Sequence, residues 1–262
     1  MREGMTKKSD GSAGDVNYQA IGGNYSFYRQ PEPRIAAKLL AALGDARRVL
    51  NVGAGAGSYE PTDRDVVAIE PSASMRAQRP PHLSAAIDAT AQNIPFADDF
   101  FDASMATFTV HQWSDLQAGL EEMRRVTKGP IVILTCDPLA VENFWLNRYA
   151  PEVLATEGRR YPPLDAFKNP LGGELRIQNV AIPLDCKDGF NEAYYGRPEK
   201  LLDPGARLSC SAWSFVEPSL AESYVANLAH DLKTGAWDLA YGQLRRQPEY
   251  SGSLRLILAP GP

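Results

Sequence analysis

The sequence predicts an α/β fold built on a doubly wound, mostly parallel sheet, and three observations lead there. Short apolar runs alternate with stretches of helical period. The first run, "VLNVGAGAGSYE", ends in glycines at alternate positions, and the second, "VVAIEPS", ends in an acid. Sheets of this kind collect their ligands at the carboxyl ends of the strands, where both features sit.

Taken in order, "PEPRIAAKLLAALGDARR" sets Ile35, Leu39, Leu40 and Leu43 at helical spacing, with Gly44 where a helix C-cap glycine belongs. "RRVLNVGAG" reads as the first buried strand. "VVAIEPS" is the second, followed by a short helix near residues 72–78. "LSAAIDATA" is expected as a third strand, "DASMATFTV" as a fourth and "IVILTCD" as a fifth. Between the last two, "SDLQAGLEEMRRVTK" is an amphipathic helix with Leu116, Leu120, Met123 and Val126 on one face. Beyond Asp137 the pattern changes. Residues 138–205 are rich in aromatics, Pro and Arg and too long for a plain connection, so they read as a helical cap inserted after the fifth strand. A strand around Ile177–Asp185, a helix within Leu220–Leu232 and the final strand "GSLRLILAP" complete the sheet. The expected division is a flexible tail over 1–17, a cofactor-binding core with its lid over 18–137, the acceptor-binding cap over 138–205, and completion of the sheet over 206–262.

Composition narrows the function. The 262 residues are 44% hydrophobic and 23% charged, ordinary for a globular protein, and the net charge of -5 argues against a nucleic-acid surface. No apolar stretch reaches bilayer length, and the polar opening residues form neither signal peptide nor anchor. Cys136, Cys186 and Cys210 are too scattered for a disulfide framework, and with three histidines no metal site is expected. The expectation is a cytoplasmic monomer or homodimer without nucleic-acid or membrane partners.

The glycine segment has two readings, a loop that admits a cofactor and a tight strand-to-helix turn with no ligand, which suits one or two glycines better than three at alternating spacing. A dinucleotide fingerprint needs G-x-G-x-x-G, but Gly53, Gly55 and Gly57 are followed by Ser58 where the third glycine of that pattern belongs. Glu70, closing the second strand, is placed to meet two ribose hydroxyls, which suits any adenosine cofactor. Here the chain resembles the class I S-adenosylmethionine-dependent methyltransferases, in particular their small-molecule, type 11-like branch, over about residues 18–137. That resemblance implies a Rossmann-like sheet of seven strands with an N-terminal helical lid. It implies that Gly53, Ala54, Gly55 and Gly57 let the backbone approach the methionine half of S-adenosyl-L-methionine. It also implies that Glu70 holds the ribose, with Pro71, Ser72 and Met75 near the adenine. "DATAQNIPFADDFFDASMATFTVHQW" is similar to the family's third and fourth motifs, which implies that Thr90, Ala91 and Gln92 line the adenine edge while Ala106, Thr107 and Phe108 pass beneath the cofactor. Asn51 departs from the pattern: the family commonly has an acid there, facing the cofactor's amino group.

Outside these motifs, "NYSFYRQPEPR" stands where the family often has a lid. Tyr18, Tyr25, Tyr28 and Arg29 are candidates to close over the cofactor, with Arg29 pairing to its carboxylate. The catalytic candidates are His111, Asp137 and Tyr195, with a structural role for His111 and helix capping for Asp137 as the competing readings. Trp113 reads as a pocket wall. Basic residues interleave with aromatics in the cap, which suggests a partly apolar anion such as a carboxylate or diphosphate. Trp145, Tyr149, Asp188, Phe190, Tyr194 and Arg197 are the candidate acceptor contacts. The function expected is in-line methyl transfer to a small metabolite of specialised metabolism, with orientation and desolvation as the main catalytic terms and the methylated atom, carbon or oxygen, left open. The alternatives are an NAD-dependent oxidoreductase, which Ser58 disfavours, and a non-catalytic module that binds S-adenosylmethionine.

Overall fold

The computed structural model describes residues 25–261. The expected tail over 1–17 and Tyr18 lie outside them. A helical turn, α1 (Tyr25–Tyr28), leads to α2 (Pro33–Leu43). The start of α2 is fixed by Pro33 and by Glu32, whose carboxylate accepts from the Arg34 amide. Its end is fixed by Gly44 in a positive-φ conformation. Strands β1 (Arg48–Val52), β2 (Asp65–Ile69), β3 (Ala103–Thr107) and β4 (Ile131–Cys136) are parallel, in the order β2-β1-β3-β4. After β2 comes α3 (Ala73–Arg76), and between β3 and β4 comes α4 (Leu116–Val126). The chain turns left from β1 to β2 and then crosses right to β3. The switch point, where such sheets hold ligands, therefore lies between β1 and β3.

The strands are buried on both faces, and their alternation sorts residues into two cores. Val49, Met105, Val132 and Leu134 pack with Ile35 and Leu39 of α2. Leu50, Ile131 and Ile133 face the other way, onto Leu120, Met123 and Val126 of α4.

Past β4 run α5 (Pro138–Val141), α6 (Pro151–Arg160), β5 (Arg176–Asn179), β6 (Ile182–Pro183), α7 (Pro204–Leu208), α8 (Pro218–Thr234), α9 (Ala236–Tyr241), β7 (Glu249–Tyr250) and β8 (Leu254–Ala259). Strand β8 inserts antiparallel beside β4 and carries β5 on its outer side. β6 and β7 form a separate two-stranded ribbon. The helices of the cap region are α5 and α6, with several 3₁₀ turns between and beyond them.

One expected strand is corrected. The main sheet has six strands among the described residues, because "LSAAIDATA" pairs with β2 only at Ile87. There the Ile87 amide donates to the Ala68 carbonyl, and its own carbonyl accepts from the Glu70 amide. The segment has little to bury: Ile87 is exposed, its neighbours are alanines, and Asp88 is drawn out to an ion pair with Arg76. No helix among the described residues is long and apolar enough to cross a membrane.

One polar group inside the fold has a measurable consequence. Glu192 is buried where the cap meets β8, accepting from the amide and hydroxyl of Ser253. Burial pushes its carboxyl up to about 7, against those hydrogen bonds. A raised folded value means that folding is fully favoured below the ordinary carboxyl range and loses stability as pH rises through about 7. Relative to a Glu192→Gln variant, the wild-type unfolding free energy should fall by ~2–4 kcal/mol between pH 4.5 and 8. Urea unfolding at the two pH values measures this, and parallel profiles for the two proteins would contradict it.

Candidate active site

A cavity of about 860 Å³ opens at the carboxyl ends of β1, β2 and β3. The chain reaches it by leaving each strand on an unusual residue. After β1, Gly53 and Gly57 take φ of 65° and 96°, a region that side chains avoid. A Cβ on Gly53 would also sit 2.1 Å from the Thr109 hydroxyl, and one on Gly57 2.3 Å from Leu83. The glycines thus let the loop lie flat between the β3 exit and the segment after α3. After β3, Phe108 adopts φ 51° without being glycine, as does Tyr59 at 64°. Both line the cavity, with rings 6.4 Å apart, so backbone strain is concentrated at this site.

After β2 comes Glu70. One carboxylate oxygen accepts from the Gly55 amide and the other from the Ser72 amide, each at 2.8 Å. The side chain is therefore fixed between the glycine loop and the cap of α3. Burial raises its pKa, and the two backbone amides pull the other way.

Of the residues named from the sequence for the cofactor, the cavity collects Arg29, Gly53, Ala54, Gly55, Gly57, Glu70, Pro71, Ser72, Met75, Thr90, Ala91, Gln92, Thr107 and Phe108, with Trp113 as wall. Tyr28 and Asn51 do not line it. The Tyr28 hydroxyl donates to Asp203 at 2.8 Å, and its ring covers Gly205 of α7. Asn51 is fully buried beneath the loop, donating to Glu60 at 3.1 Å while its carbonyl oxygen has no partner among the described residues. An acid stands beside Asn51, nine residues on. Glu60 lines the cavity, and its carboxylate is bridged by Arg79 at 2.8 and 3.0 Å. The signal was present in the sequence, since Glu60 closes the glycine segment itself. Gln112, which also lines the cavity, has both amide atoms buried and without partners among the described residues.

A second, smaller cavity of about 40 Å³ adjoins the first, and Arg29 and Phe108 line both. Its other walls include His111, Glu157, Arg160, Tyr161 and Phe190. His111 packs its ring 4.7 Å from Tyr161. Burial, then the Arg160 and Arg29 charges, hold its pKa well below the ordinary imidazole range, so it is neutral at physiological pH.

The remaining candidates lie outside both cavities. Asp137 caps α5 through the Leu139 amide and pairs with Arg255. The Tyr195 hydroxyl donates to the Gln247 carbonyl at 2.6 Å, and its ring stacks on Tyr250. Trp145 donates to the Tyr195 carbonyl and packs on Trp237, while Tyr149 donates to Asp231 of α8. Tyr194 and Arg197 face each other, and Arg197 donates to the carbonyls of Cys186 and Ala193. Trp145 and Tyr149 thus join the cap to the C-terminal helices. Their aromatic content serves a core whose central member, Trp237, comes from a distant part of the chain.

Asp188, also outside the cavities, is a positioning residue. It accepts from the Arg29 guanidinium at 2.6 Å and the Tyr59 hydroxyl at 2.9 Å, and its own side chain is only 2% exposed.

Residues 50–130 match a family model described as a methyltransferase domain. A demethylmenaquinone methyltransferase of Paenarthrobacter aurescens is 38% identical over 113 residues, which span 39% of this chain and 44% of that protein. The chain thus spans less than half the length of this curated relative. A solved structure described as a "Putative methyltransferase from antibiotic biosynthesis pathway" of Anabaena variabilis superposes with a TM-score of 0.82 at 27% identity, over 88% of this chain and 98% of that one. Geranyl diphosphate C-methyltransferase of Streptomyces coelicolor shares the fold, with a TM-score of 0.50 at 14% identity over 88% and 77% of the two chains.

Removing Asp188 takes away the buried acceptor that the Arg29 guanidinium and the Tyr59 hydroxyl share. Asp188→Ala should cost ~3–5 kcal/mol of stability, whereas Asp185→Ala, at an exposed ion pair with Arg34, should leave the unfolding midpoint essentially unchanged. Thermal unfolding of both variants measures the contrast, and equal effects would contradict it.

Proposed function

We propose, from the methyltransferase-domain match and the geometry of the larger cavity, that the chain is a class I S-adenosylmethionine-dependent methyltransferase, an enzyme methylating a small, partly apolar and anionic metabolite. S-adenosylmethionine supplies an electrophilic methyl group on a sulfonium, so the protein's tasks are to bind, orient and exclude water.

The residues present fit that cofactor. The volume of about 860 Å³ is in the range for a ligand of this size. Glu70, pinned by two backbone amides, offers its remaining lone pairs to a pair of ribose hydroxyls. Glu60 would take the amino group of the methionine half, its charge balanced by Arg79. The partnerless Gln112 amide offers one donor and one acceptor to a polar ligand. Trp113 and Phe108 exclude water on the acceptor side. The single observation that carries the reading is the Glu70 carboxylate, locked opposite the glycine loop at the switch point of the sheet.

The neutral His111, beside the wall shared by the two cavities, can accept a proton from an acceptor group that must lose one. Its lowered basicity limits that role to groups that acidify on methylation. The acceptor is expected to be small because the cap fills with its own aromatic side chains and leaves limited space behind Phe108.

Glu70→Ala should weaken binding of S-adenosylhomocysteine by ~1–3 kcal/mol, the loss of charged hydrogen bonds to the ribose. Isothermal titration, with NAD as the competing ligand, measures it. Unchanged binding in the variant, or NAD binding in place of S-adenosylhomocysteine, would refute the assignment.

A further inference from the structure

The small cavity behind Phe108 contains an arginine whose hydrogen bonds are incomplete. Arg160, the last residue of α6, is only 5% exposed. Its Nη1 donates to the Ser211 hydroxyl at 2.7 Å, and its face covers the Phe215 ring at 5.1 Å. Nε and Nη2 are buried with no hydrogen-bond partner among the described residues. Those two nitrogens lie on one edge of the guanidinium, and their N–H groups run parallel. That edge is the fork that grips a carboxylate with two bonds. Burying a charged donor pair with nothing to receive it is costly, so the geometry calls for a ligand.

We propose that this cavity holds the carboxylate of the methyl acceptor, gripped by the Nε–Nη2 edge of Arg160, while the rest of the acceptor reaches past Phe108 toward the methyl donor.

The neighbours agree with that occupant. Arg29, on the shared wall, is charge-balanced by Asp188, so Arg160 supplies the attraction. Glu157 faces the same cavity; its carboxylate accepts from Asn191 at 2.5 Å, and burial raises its pKa against that bond and the Arg160 and Arg29 charges, so that when protonated it can donate to an anion. The His111 Nδ1, also without a partner among the described residues, offers a third polar contact. Phe108 and Phe190, with ring centroids 5.4 Å apart, give the cavity an apolar side. Size selects between anions. A volume of about 40 Å³ admits roughly three water-sized groups, enough for the three heavy atoms of a carboxylate and too little for a diphosphate. The inference rests on the methyltransferase reading above.

The experiment titrates the wild type with S-adenosylhomocysteine. It then titrates the saturated complex with formate, acetate, benzoate and phenylacetate, each against its matching amide. At least one carboxylate should bind with its amide about tenfold weaker or worse. Arg160→Met should abolish that preference while S-adenosylhomocysteine affinity stays within about twofold, and Arg160→Lys, which keeps charge without the fork, should retain only part of it. If Arg160→Met fails to fold, the lysine variant carries the comparison, and full retention there overturns the proposal. It is likewise overturned if S-adenosylhomocysteine binds but no carboxylate outbinds its amide, or if the methionine variant keeps the preference; the methyltransferase reading survives both results. No binding of S-adenosylhomocysteine to the wild type overturns both.

Discussion

The site depends on one buried ion pair. Arg29 and Asp188, 159 residues apart, meet at 2.6 Å with the carboxylate almost wholly out of water. Asp188 also receives the hydroxyl of Tyr59, the residue that turns the glycine loop through a left-handed conformation. The Tyr59 oxygen in turn accepts from the Glu32 amide, and Glu32 accepts from the Lys187 amide. The N-terminal segment, the glycine loop and the cap are therefore tied at one point. From that point Arg29 lines both cavities. A buried pair of this kind is a weak source of net stability, because desolvation offsets its attraction, but it is intolerant of losing either partner. Its value here is geometric: it sets where the cap sits relative to the strand ends.

Given that anchor, the chemistry divides between two rooms. The larger is framed by the glycine loop and the buried carboxylates of Glu70 and Glu60, and suits a ligand carrying hydroxyls and an ammonium. The smaller is enclosed, aromatic and cationic. Phe108 separates them, held in a strained conformation at the exit of β3 with Arg29 stacked over its ring. Strain at such a residue persists only when its surroundings over-determine it, and here the Leu134 carbonyl, Tyr59, Phe190 and Arg29 all fix its position.

Most of the fold was legible in the sequence because the parallel strands are apolar throughout and their helices keep a clean period. The larger cavity was legible for a related reason, since glycine spacing and a strand-terminal acid are local signals. What the sequence concealed was long-range. The third strand failed as a strand because alanines and an exposed Ile87 give an edge little to bury. Trp145, Tyr149, Tyr194 and Tyr195 resembled a binding surface, but Trp237 and α8 take up the first two, Arg197 faces the third and Tyr250 stacks on the fourth. Arg160 stood among the basic residues of the cap with nothing local to distinguish it. Only the packing that leaves one edge of it without partners singles it out. Glu60 was missed because the motif directed attention to position 51, whereas the tertiary fold delivers the acid from the other end of the loop.

The central claim is that the glycine loop and Glu70 frame the methyl-donor site. A crystal structure of the complex with S-adenosylhomocysteine tests it most directly. The account predicts the two ribose hydroxyls on the Glu70 carboxylate, the amino group beside Glu60, and the sulfur near Phe108. Ribose bound to a different acid, or a ligand seated away from the carboxyl ends of β1 and β3, would contradict it.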